Sequence, residues 1–587
     1  EKNDEQRENV MKFGYLLRYY GKYKLKMITV AALCLVSTLC SLAIPSLMST
    51  VVDDGVKRSD LNAVISSCAA MLAVSAVALI AAIISGKLNA SLSNSVARDL
   101  RDDLFKKVNS LTFEEFSSIG TSSLLTRATE DVFQLQEAGG LVSSAISVPL
   151  LLIGGIVASF TADVTLAVIL LCVVPVVCAI VFALVRKMGK LWENADKYCD
   201  IQNHIVRERL YGIRVIRAFE KEDYEHARVT DATDKMAYNL VKSNLFSGLI
   251  TPICSCLLSL ATVALIVVGY IRATAPETTV GAGDVFAVVQ YVALISSALM
   301  TTFWTLAWLP HLKVCAKRVG EVLNLKGIEK SDEPPKKLSG DLSLKDVSFR
   351  YPGAREYSLK NIDMTFPEGK TIAVIGGTGS GKSTLIKLLL DFYPVTDGDI
   401  SFGNENYSSL GVSDVRANVA CAMQKSMIFE GTIRDNVKIA REDATDEEVL
   451  SAIEDAQLLD FVNSQKEGPD YFLSQSGANL SGGQKQRVNI ARTILKNASV
   501  YIFDDSFSAL DLLTEKNLRA ALNRRLKGKT QIIITQRVST ARKCDYIYVL
   551  DDGKLVGGGN HEFLIENCKT YGEIYLSQTG GYDENEA

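Results

Sequence analysis

The sequence predicts a bundle of six membrane-spanning helices followed by a soluble α/β domain. Long apolar runs without charge recur up to about residue 310, whereas the rest of the chain is charged like an ordinary globular domain. After residue 340, short β-branched runs alternate with helical segments, which is typical of a largely parallel sheet. The hydrophobic share of the 587 residues, 48%, exceeds that of most soluble enzymes.

Six apolar stretches have the length of membrane spans. Each has roughly 20 to 27 residues, enough at about 1.5 Å per residue to cross a hydrocarbon core about 30 Å thick. None has a charged side chain in its central part, so the spans offer no evident relay for protons or ions. The predicted spans are 27–52, 62–86, 137–160, 163–186, 246–271 and 284–310.

The connections between the spans alternate in length. Those at 53–61, 161–162 and 272–283 are short, whereas 87–136 and 187–245 are long, polar and helix-forming. Lysines and arginines are frequent in the first long connection, and the positive-inside tendency then places the long connections in the cytoplasm. We therefore expect the spans to extend into the cytosol as helices. The amino terminus and the α/β domain are expected on the same side.

The chain divides by composition into three parts. A transmembrane domain covers 1–323, a segment rich in Lys, Asp, Glu and Pro forms a linker at 324–339, and the α/β domain covers 340–587. The formal net charge of -4 is small and leaves no basic face, so we expect no nucleic-acid partner.

A phosphate-binding loop follows the first predicted strand of the parallel sheet. Residues 376–383 read GGTGSGKS and fit GxxxxGK[ST], between a strand that ends at Ile375 and a helical run. In such a loop the backbone N–H groups surround the phosphates, Lys382 reaches the β and γ phosphates, and Ser383 ligates Mg²⁺. The candidate nucleotide-binding residues here are Gly376, Gly377, Thr378, Gly379, Ser380, Gly381, Lys382, Ser383 and Thr384.

An acidic strand end supports the same site. The apolar strand VYIF at 500–503 is followed by Asp504 and Asp505. A carboxylate at the tip of a strand beside a phosphate-binding loop is placed to hold the shell of Mg²⁺, and Asp504 is the candidate.

The segment LSGGQ at 480–484 resembles the signature of ABC ATPases. With the six preceding spans, the chain resembles the ABC exporters over essentially its whole length. The resemblance implies an ABC nucleotide-binding domain that binds ATP and Mg²⁺. It also implies two such domains enclosing two ATP molecules, each held by the phosphate loop of one domain and the signature of the other. Ser481, Gly482, Gly483 and Gln484 are then ligands of ATP bound by a second chain, the expected partner.

Further segments match the exporters. Tyr351 in VSFRYPG corresponds to the aromatic residue that stacks on adenine, and Gln424 to a glutamine that meets Mg²⁺ and the intracellular loops. Residues 508–511 correspond to the loop that communicates between the two sites. Residues 117–132 and 208–228 resemble the cytoplasmic loops whose short coupling helices dock on nucleotide-binding domains. We expect the second to contact the partner chain.

Two departures from the family pattern coincide in the hydrolytic positions. The glutamate that polarises the attacking water is here Asp505, and the usual histidine of the switch segment is Gln536. Aspartate is one methylene shorter, and glutamine cannot become cationic as imidazole can. This pairing resembles the degenerate half of heterodimeric bacterial exporters, which implies a site that binds ATP and hardly hydrolyses it.

The expected function is therefore export of an amphipathic compound, peptide or lipid across a bacterial plasma membrane. Two alternatives stay open: an uptake transporter of exporter fold, as for some siderophores, and an ABC ATPase that does not transport. Gln290, Tyr291, Trp304, Trp308 and the Ser/Thr groups of the sixth span are candidates for lining a substrate cavity, although membrane helices often carry Trp at the interface and Ser/Thr at helix contacts.

Overall fold

The computed structural model describes residues 15–16, 18–274, 280–328 and 333–579. The chain forms two compact units. The first comprises the residues up to Asn109 together with Thr121–Leu325, and the second comprises Ser110–Gly120 together with the residues from Lys326 onward.

In the described part of the first unit, six helical stretches are long and apolar enough to cross a membrane. The first and third contain π-helical turns, at Val51–Val56 and Arg127–Asp131. The helices up to residue 323 are α1 Lys24–Thr50, α2 Leu61–Ser110, α3 Phe113–Ile119, α4 Thr121–Thr126, α5 Val132–Glu137, α6 Gly140–Ala162, α7 Val164–Ala218, α8 Glu222–Thr274 and α9 Ala282–Leu323.

The longest helices exceed what a membrane requires. Helices α7 and α8 have 55 and 53 residues, about 80 Å at 1.5 Å per residue, whereas the hydrocarbon core is about 30 Å thick. The apolar part of α7 gives way to charge at Arg186 and Lys187. The extensions expected from the connection 187–245 are therefore present: α7 continues without a break to Ala218, and α8 runs from Glu222 into the next span.

The long helices of the first unit bury apolar side chains where they pack on one another and expose further apolar side chains on their other faces. Leu170, Ile250 and Ile295 are fully or almost fully buried where α7, α8 and α9 meet. By contrast, Leu72 of α2 and Phe182 of α7 are among many large apolar side chains that are exposed. Exposed apolar helix faces of this extent require lipid as their solvent. The protein is a multi-pass membrane protein.

Two candidates for a substrate cavity differ in their surroundings. Tyr291 is buried in a helix contact, where its hydroxyl donates to the carbonyl of Leu42 at 3.1 Å. Trp304 is 64% exposed. Tyr291 therefore takes part in a contact between α9 and α1 in this structure.

The second unit is built on a six-stranded and a four-stranded sheet. The strands are β1 Leu342–Phe349, β2 Leu359–Phe366, β3 Thr371–Ile375, β4 Asp397–Phe402, β5 Glu405–Asn406, β6 Val419–Ala422, β7 Gly431–Thr432, β8 Phe472–Leu473, β9 Val500–Asp504, β10 Thr530–Thr535, β11 Tyr546–Asp551 and β12 Lys554–Gly559. The six-stranded sheet has the order β12-β11-β3-β10-β9-β6, and the four-stranded sheet has the order β2-β1-β4-β5. In the six-stranded sheet β6, β9, β10, β3 and β11 are parallel, and β12 pairs antiparallel with β11.

Helices cover the sheets and bury their apolar strands. All six residues of β10 are buried, as expected for a central parallel strand that is covered on both faces. The helices are α10 Lys382–Leu389, α11 Val412–Asn418, α12 Ile433–Lys438, α13 Asp446–Asp455, α14 Leu459–Ser464, α15 Gly482–Leu495, α16 Leu512–Arg525, α17 Val538–Ala541, α18 His561–Asn567 and α19 Lys569–Thr579.

Part of the segment 324–339 packs with the second unit. Leu338 is buried in its core; its N–H donates to Asn418 Oδ1 at 3.0 Å, and its carbonyl accepts from Ser499 Oγ at 2.8 Å. Composition alone indicates a linker here because the neighbours of this leucine are polar. Residues 329–332 lie outside the described part of the chain.

Helix α3 also groups with the second unit, although it interrupts the first long connection. Thr112 begins it with a capping box that involves Glu115. The ring of Phe113 stacks on Phe392 at a centroid distance of 5.2 Å and meets Tyr393 edge-on at 5.6 Å. The segment that packs on this unit thus begins ahead of residues 117–132, where the resemblance placed the coupling region.

Candidate nucleotide-binding site

A cavity of about 370 Å³ lies at the carboxyl edge of the six-stranded sheet. Adjacent parallel strands present their carboxyl ends at the same edge, which is where α/β domains bind ligands. The phosphate-binding loop follows β3, Gln536 follows β10, Asp504 ends β9 and Gln424 follows β6. All four elements line the cavity, so the topology brings together residues that are far apart in sequence.

The backbone of the phosphate-binding loop requires glycine at two positions. Gly381 has φ +99°, in the left-handed region where side chains are strained. A Cβ on Gly376 would lie 2.2 Å from the carbonyl oxygen of Leu550. Gly376 and Gly381 are thus needed by the fold itself, apart from any role at a phosphate.

The ammonium of Lys382 is held by its own loop. Its Nζ donates to the carbonyls of Gly376 at 2.8 Å and Gly377 at 2.6 Å, and to Ser380 Oγ at 3.1 Å. Burial lowers the pKa of Lys382, although the nearby carboxylates of Asp504 and Asp505 oppose the shift. The lysine is therefore a partly desolvated cation at the cavity wall, where its attraction for a phosphate is stronger than in water.

The two carboxylates at the end of β9 are half-buried. Burial raises the pKa of Asp504, the backbone N–H of Gln424 opposes this shift, and the charge of Asp505 adds to it. Burial also raises the pKa of Asp505, against hydrogen bonding from Ser508 and Gln424 and the charge of Arg537. Two desolvated carboxylates side by side favour the binding of a cation.

The backbone of Asp505 is fixed in a strained conformation. Its φ of +45° is uncommon for any residue other than glycine. Its N–H donates to the carbonyl of Ile534 at 2.9 Å, and its carbonyl accepts from Ser508 Oγ at 2.8 Å. The Cα of Asp505 is therefore tied to the end of β10, and the reach of the carboxylate depends on side-chain length.

The candidate magnesium ligands form a suitable donor set. The hydroxyl of Ser383, the carboxylate of Asp504 and the amide oxygen of Gln424 are hard oxygen donors, which Mg²⁺ prefers. All three residues line the cavity. A bound Mg²⁺ would neutralise phosphate charge next to Lys382.

Tyr351, the candidate for adenine stacking, does not lie on the cavity wall. Its ring meets Phe349 and Tyr393 edge-on at 4.9 and 5.5 Å, and its hydroxyl lies 3.2 Å from Thr384 Oγ1. Tyr357 lies on the wall instead. The role of Tyr351 at adenine stays a prediction.

Several wall residues were not identified from the sequence. They are Tyr357, Ser358, Ile534, Thr535, Asp552 and Gly553. Asp552 and Gly553 form the turn between β11 and β12, and both have positive φ. The Asp-Gly pair does signal a hairpin turn. Its place at the cavity depends on the pairing of β11 with β3, which no local pattern reveals.

The signature residues lie apart from this cavity. None of Ser481, Gly482, Gly483 and Gln484 is on its wall. Ser481 begins α15 with a capping box in which its Oγ accepts from the N–H of Gln484 at 3.3 Å. A Cβ on Gly482 would meet no atom within 4 Å, so this helix start is open.

A phosphate-binding loop domain that follows six membrane-spanning helices is the architecture of a nucleotide-driven membrane transporter. The comparisons with known proteins agree. Residues 27–299 match the ABC transporter transmembrane region and residues 359–508 match the ABC transporter domain. The chain belongs to the ABC transporter family.

Relatives match nearly the whole chain. An uncharacterized ABC transporter ATP-binding protein of Mycobacterium bovis is 32% identical over 577 residues, which cover 97% of this chain and 98% of the relative. An ATP-dependent lipid A-core flippase of Chromobacterium violaceum is 27% identical over 579 residues, or 96% of both chains. A bacterial Atm1-family ABC exporter with ATP bound has a TM-score of 0.81 at 21% identity, covering 96% of this chain and 99% of that one. The fold is that of an ABC exporter.

Proposed function

We propose that this chain is one subunit of a heterodimeric ABC exporter and that its own site binds Mg-ATP but hydrolyses it very slowly. The observation that carries the proposal is the coincidence of Asp505 and Gln536 on the wall of the same cavity as Lys382 and Ser383. The residues needed for binding are kept there, and the two residues of the hydrolytic positions are both changed.

The backbone geometry at Asp505 strengthens this argument. An aspartate carboxylate ends roughly 1 to 1.5 Å short of a glutamate carboxylate, and a misplacement of about 1 Å can cost about 100-fold in rate. Because the N–H and carbonyl of Asp505 are both hydrogen-bonded, its backbone is not free to advance by that distance. Gln536 supplies a neutral donor where imidazole would supply a cation.

A second chain is proposed because the signature and the cavity are separate. Ser481 and Gly482 have no part in the cavity of their own domain, so they are available to ATP bound by a partner. The second cytoplasmic loop offers a further contact. Tyr211 and Phe219 near its tip are 87% and 71% exposed, and aromatic residues of this kind commonly anchor protein interfaces.

The proposed substrate is an amphipathic compound, peptide or lipid. Some relatives at 26 to 27% identity are named lipid A-core flippases, so this fold serves a lipid in those proteins. We place the transporter in a bacterial plasma membrane with its amino terminus and nucleotide-binding domain in the cytoplasm. Uptake on the same fold and a non-transporting ATPase are the alternatives, which transport assays in oriented vesicles distinguish.

The proposal is tested on the full-length chain in lipid nanodiscs. We expect Mg-ATP to bind, with turnover at least about 100-fold below that of the same preparation with its partner chain. The Lys382→Ala variant should lose ATP binding and serves as the control. Vigorous hydrolysis by the chain without a partner would overturn the proposed degenerate site.

A further inference from the structure

The side chain of Gln578, in the last turn of α19, bridges two backbone groups of the switch segment. Its Nε2 donates to the carbonyl of Gln536 at 2.6 Å, and its Oε1 accepts from the N–H of Val538 at 2.9 Å. One amide thus holds the backbone on both sides of Arg537. This arrangement fixes the exit of the chain from β10, immediately after the strand that delivers Gln536 to the cavity.

The N–H of Val538 needs an acceptor from outside its own helix. Val538 is the first residue of α17, and N–H groups in the first turn of a helix have no acceptor within it. Arg537, at the N-cap position, contributes no side-chain hydrogen bond to this helix start. Gln578 therefore caps α17 from another helix, in the role usually taken by a serine or aspartate at the cap itself.

Helix α19 is a firm support for this bridge. Tyr571, in its first turn, is fully buried in a cluster that also contains Val538 and Ile547. The hydroxyl of Tyr571 lies 2.7 Å from His561 Nδ1. The helix is anchored at one end in the core of the domain, and its other end contacts the switch segment.

The switch segment is tied on its other side to the loop after β9. Arg537 Nη2 donates to the carbonyl of Ser508 at 2.9 Å, and Asp505 N–H donates to the carbonyl of Ile534 at 2.9 Å. Gln578 completes this set of ties from the opposite direction. Gln578→Met would remove both bonds from this side and leave the bonds to residues 505 and 508 in place.

We infer that Gln578 is a positioning residue of the ATP site, which holds the backbone of the switch segment so that the Gln536 side chain stays at the γ-phosphate position. The inference rests on the proposed binding of ATP in this cavity. Gln578 is exposed, and exposed hydrogen bonds add little to overall stability because water replaces them. The bridge therefore acts on the geometry of one loop more than on folding.

The experiment compares ATP and ADP, because only ATP has the phosphate that Gln536 faces. Dissociation constants for Mg-ATP and Mg-ADP are measured by calorimetry on the full-length chain in nanodiscs. Gln578→Met keeps the length of the side chain and removes both hydrogen bonds. Gln578→Glu keeps an acceptor for Val538 N–H but cannot donate to the Gln536 carbonyl. Ser577→Ala is the matched control, because that hydroxyl bonds only within α19, to the carbonyl of Ile574.

We expect Gln578→Met and Gln578→Glu to raise the ATP dissociation constant about three- to tenfold and to leave that of ADP within about 1.5-fold, the range of one or two lost hydrogen bonds. Ser577→Ala should change neither. Unchanged ADP binding also shows that the variants are folded. Equal shifts for both nucleotides, no shift for either, or Gln578→Glu behaving as the unmodified chain would each overturn the inference. An unmodified chain that binds ADP but not ATP would overturn it as well. Failure of the unmodified chain to bind either nucleotide would overturn the proposed ATP site itself.

Discussion

Restoring the two hydrolytic residues together should convert the proposed degenerate site into a working ATPase. The perturbation is the double substitution Asp505→Glu with Gln536→His in the full-length chain. The cavity wall already holds Lys382, Ser383 and Asp504, so the residues expected to bind Mg-ATP stay unchanged. The variant lengthens the side chain at position 505 and places a titratable donor at position 536. Each position accepts the larger residue at the edge of an open cavity, because Gln536 is exposed and Asp505 is only half-buried.

The size of the gain follows from the backbone at residue 505. The Cα is held by hydrogen bonds to Ile534 and Ser508, so nearly the whole added methylene becomes reach toward the cavity. Regaining roughly 1 to 1.5 Å is worth about 100-fold, or about 2.7 kcal/mol of barrier. The histidine adds its own contribution through a cationic form that glutamine lacks. We expect the double variant to hydrolyse ATP at least about 100-fold faster than the unmodified chain.

The assay is phosphate release at saturating Mg-ATP. The chain concentration is varied because the proposed composite site takes its signature residues from a second copy. Adding Lys382→Ala to the double variant should abolish the gain, which shows that the activity belongs to this cavity. The reasoning is refuted if the unmodified chain is already as fast as the double variant. It is also refuted if the double variant binds ATP, dimerises and still gains less than about tenfold.

Three further predictions follow from other parts of the chain. In the proposed heterodimer, Gly482→Glu should abolish most ATPase activity by placing a like charge at the γ-phosphate of the ATP that the partner would bind, whereas Lys382→Ala should leave part of the activity. Steady-state phosphate release compares the two variants, and a less active Lys382 variant would reverse the assignment of the sites. Phe113→Ala should reduce transport per ATP hydrolysed, because it removes ring contacts worth about 0.5 to 1.5 kcal/mol each. Ser118→Ala is the control and should leave this ratio unchanged. Transport into vesicles and ATPase activity, measured on the same preparation, give the ratio. Tyr571→Ala should destabilise the second unit by about 3 to 5 kcal/mol and Tyr571→Phe by about 1 kcal/mol, as measured by denaturant unfolding.

The elements of the site that sequence predicts are those encoded within a few neighbouring residues. The phosphate-binding loop, Asp504 and the acid that follows it are local patterns, and the structure places them in one cavity with Gln424 and Gln536. Tyr351 is also a local pattern, yet its ring packs against Phe349 and Tyr393. A motif therefore fixes which residue is present and does not fix which way an aromatic ring turns.

The features that sequence did not predict depend on strand order or on distant contacts. Asp552 reaches the cavity because β11 pairs with β3, which is a fact of topology. Leu338 is buried in the core of the second unit, and its backbone is hydrogen-bonded to Asn418 and Ser499, far along the chain. Its neighbours in the sequence are polar, so no local pattern indicates this. Gln578 has no pattern of its own, since a glutamine near the end of a helix is ordinary. Its two backbone bonds become visible only in three dimensions.

The charges in the cavity bear on why a slow site would keep its binding residues. Burial lowers the pKa of Lys382 and raises those of Asp504 and Asp505, so all three groups cost stability where they stand. Functional sites commonly retain such groups at a cost in stability. In the proposed heterodimer these residues have a function that does not need hydrolysis: ATP held here closes the interface on which the partner's site depends. The same closure brings Ser481 and Gly482 to the partner's ATP. The proposed heterodimer then needs both the residues that bind ATP in this cavity and the signature residues, whereas it does not need a catalytic glutamate or histidine at positions 505 and 536.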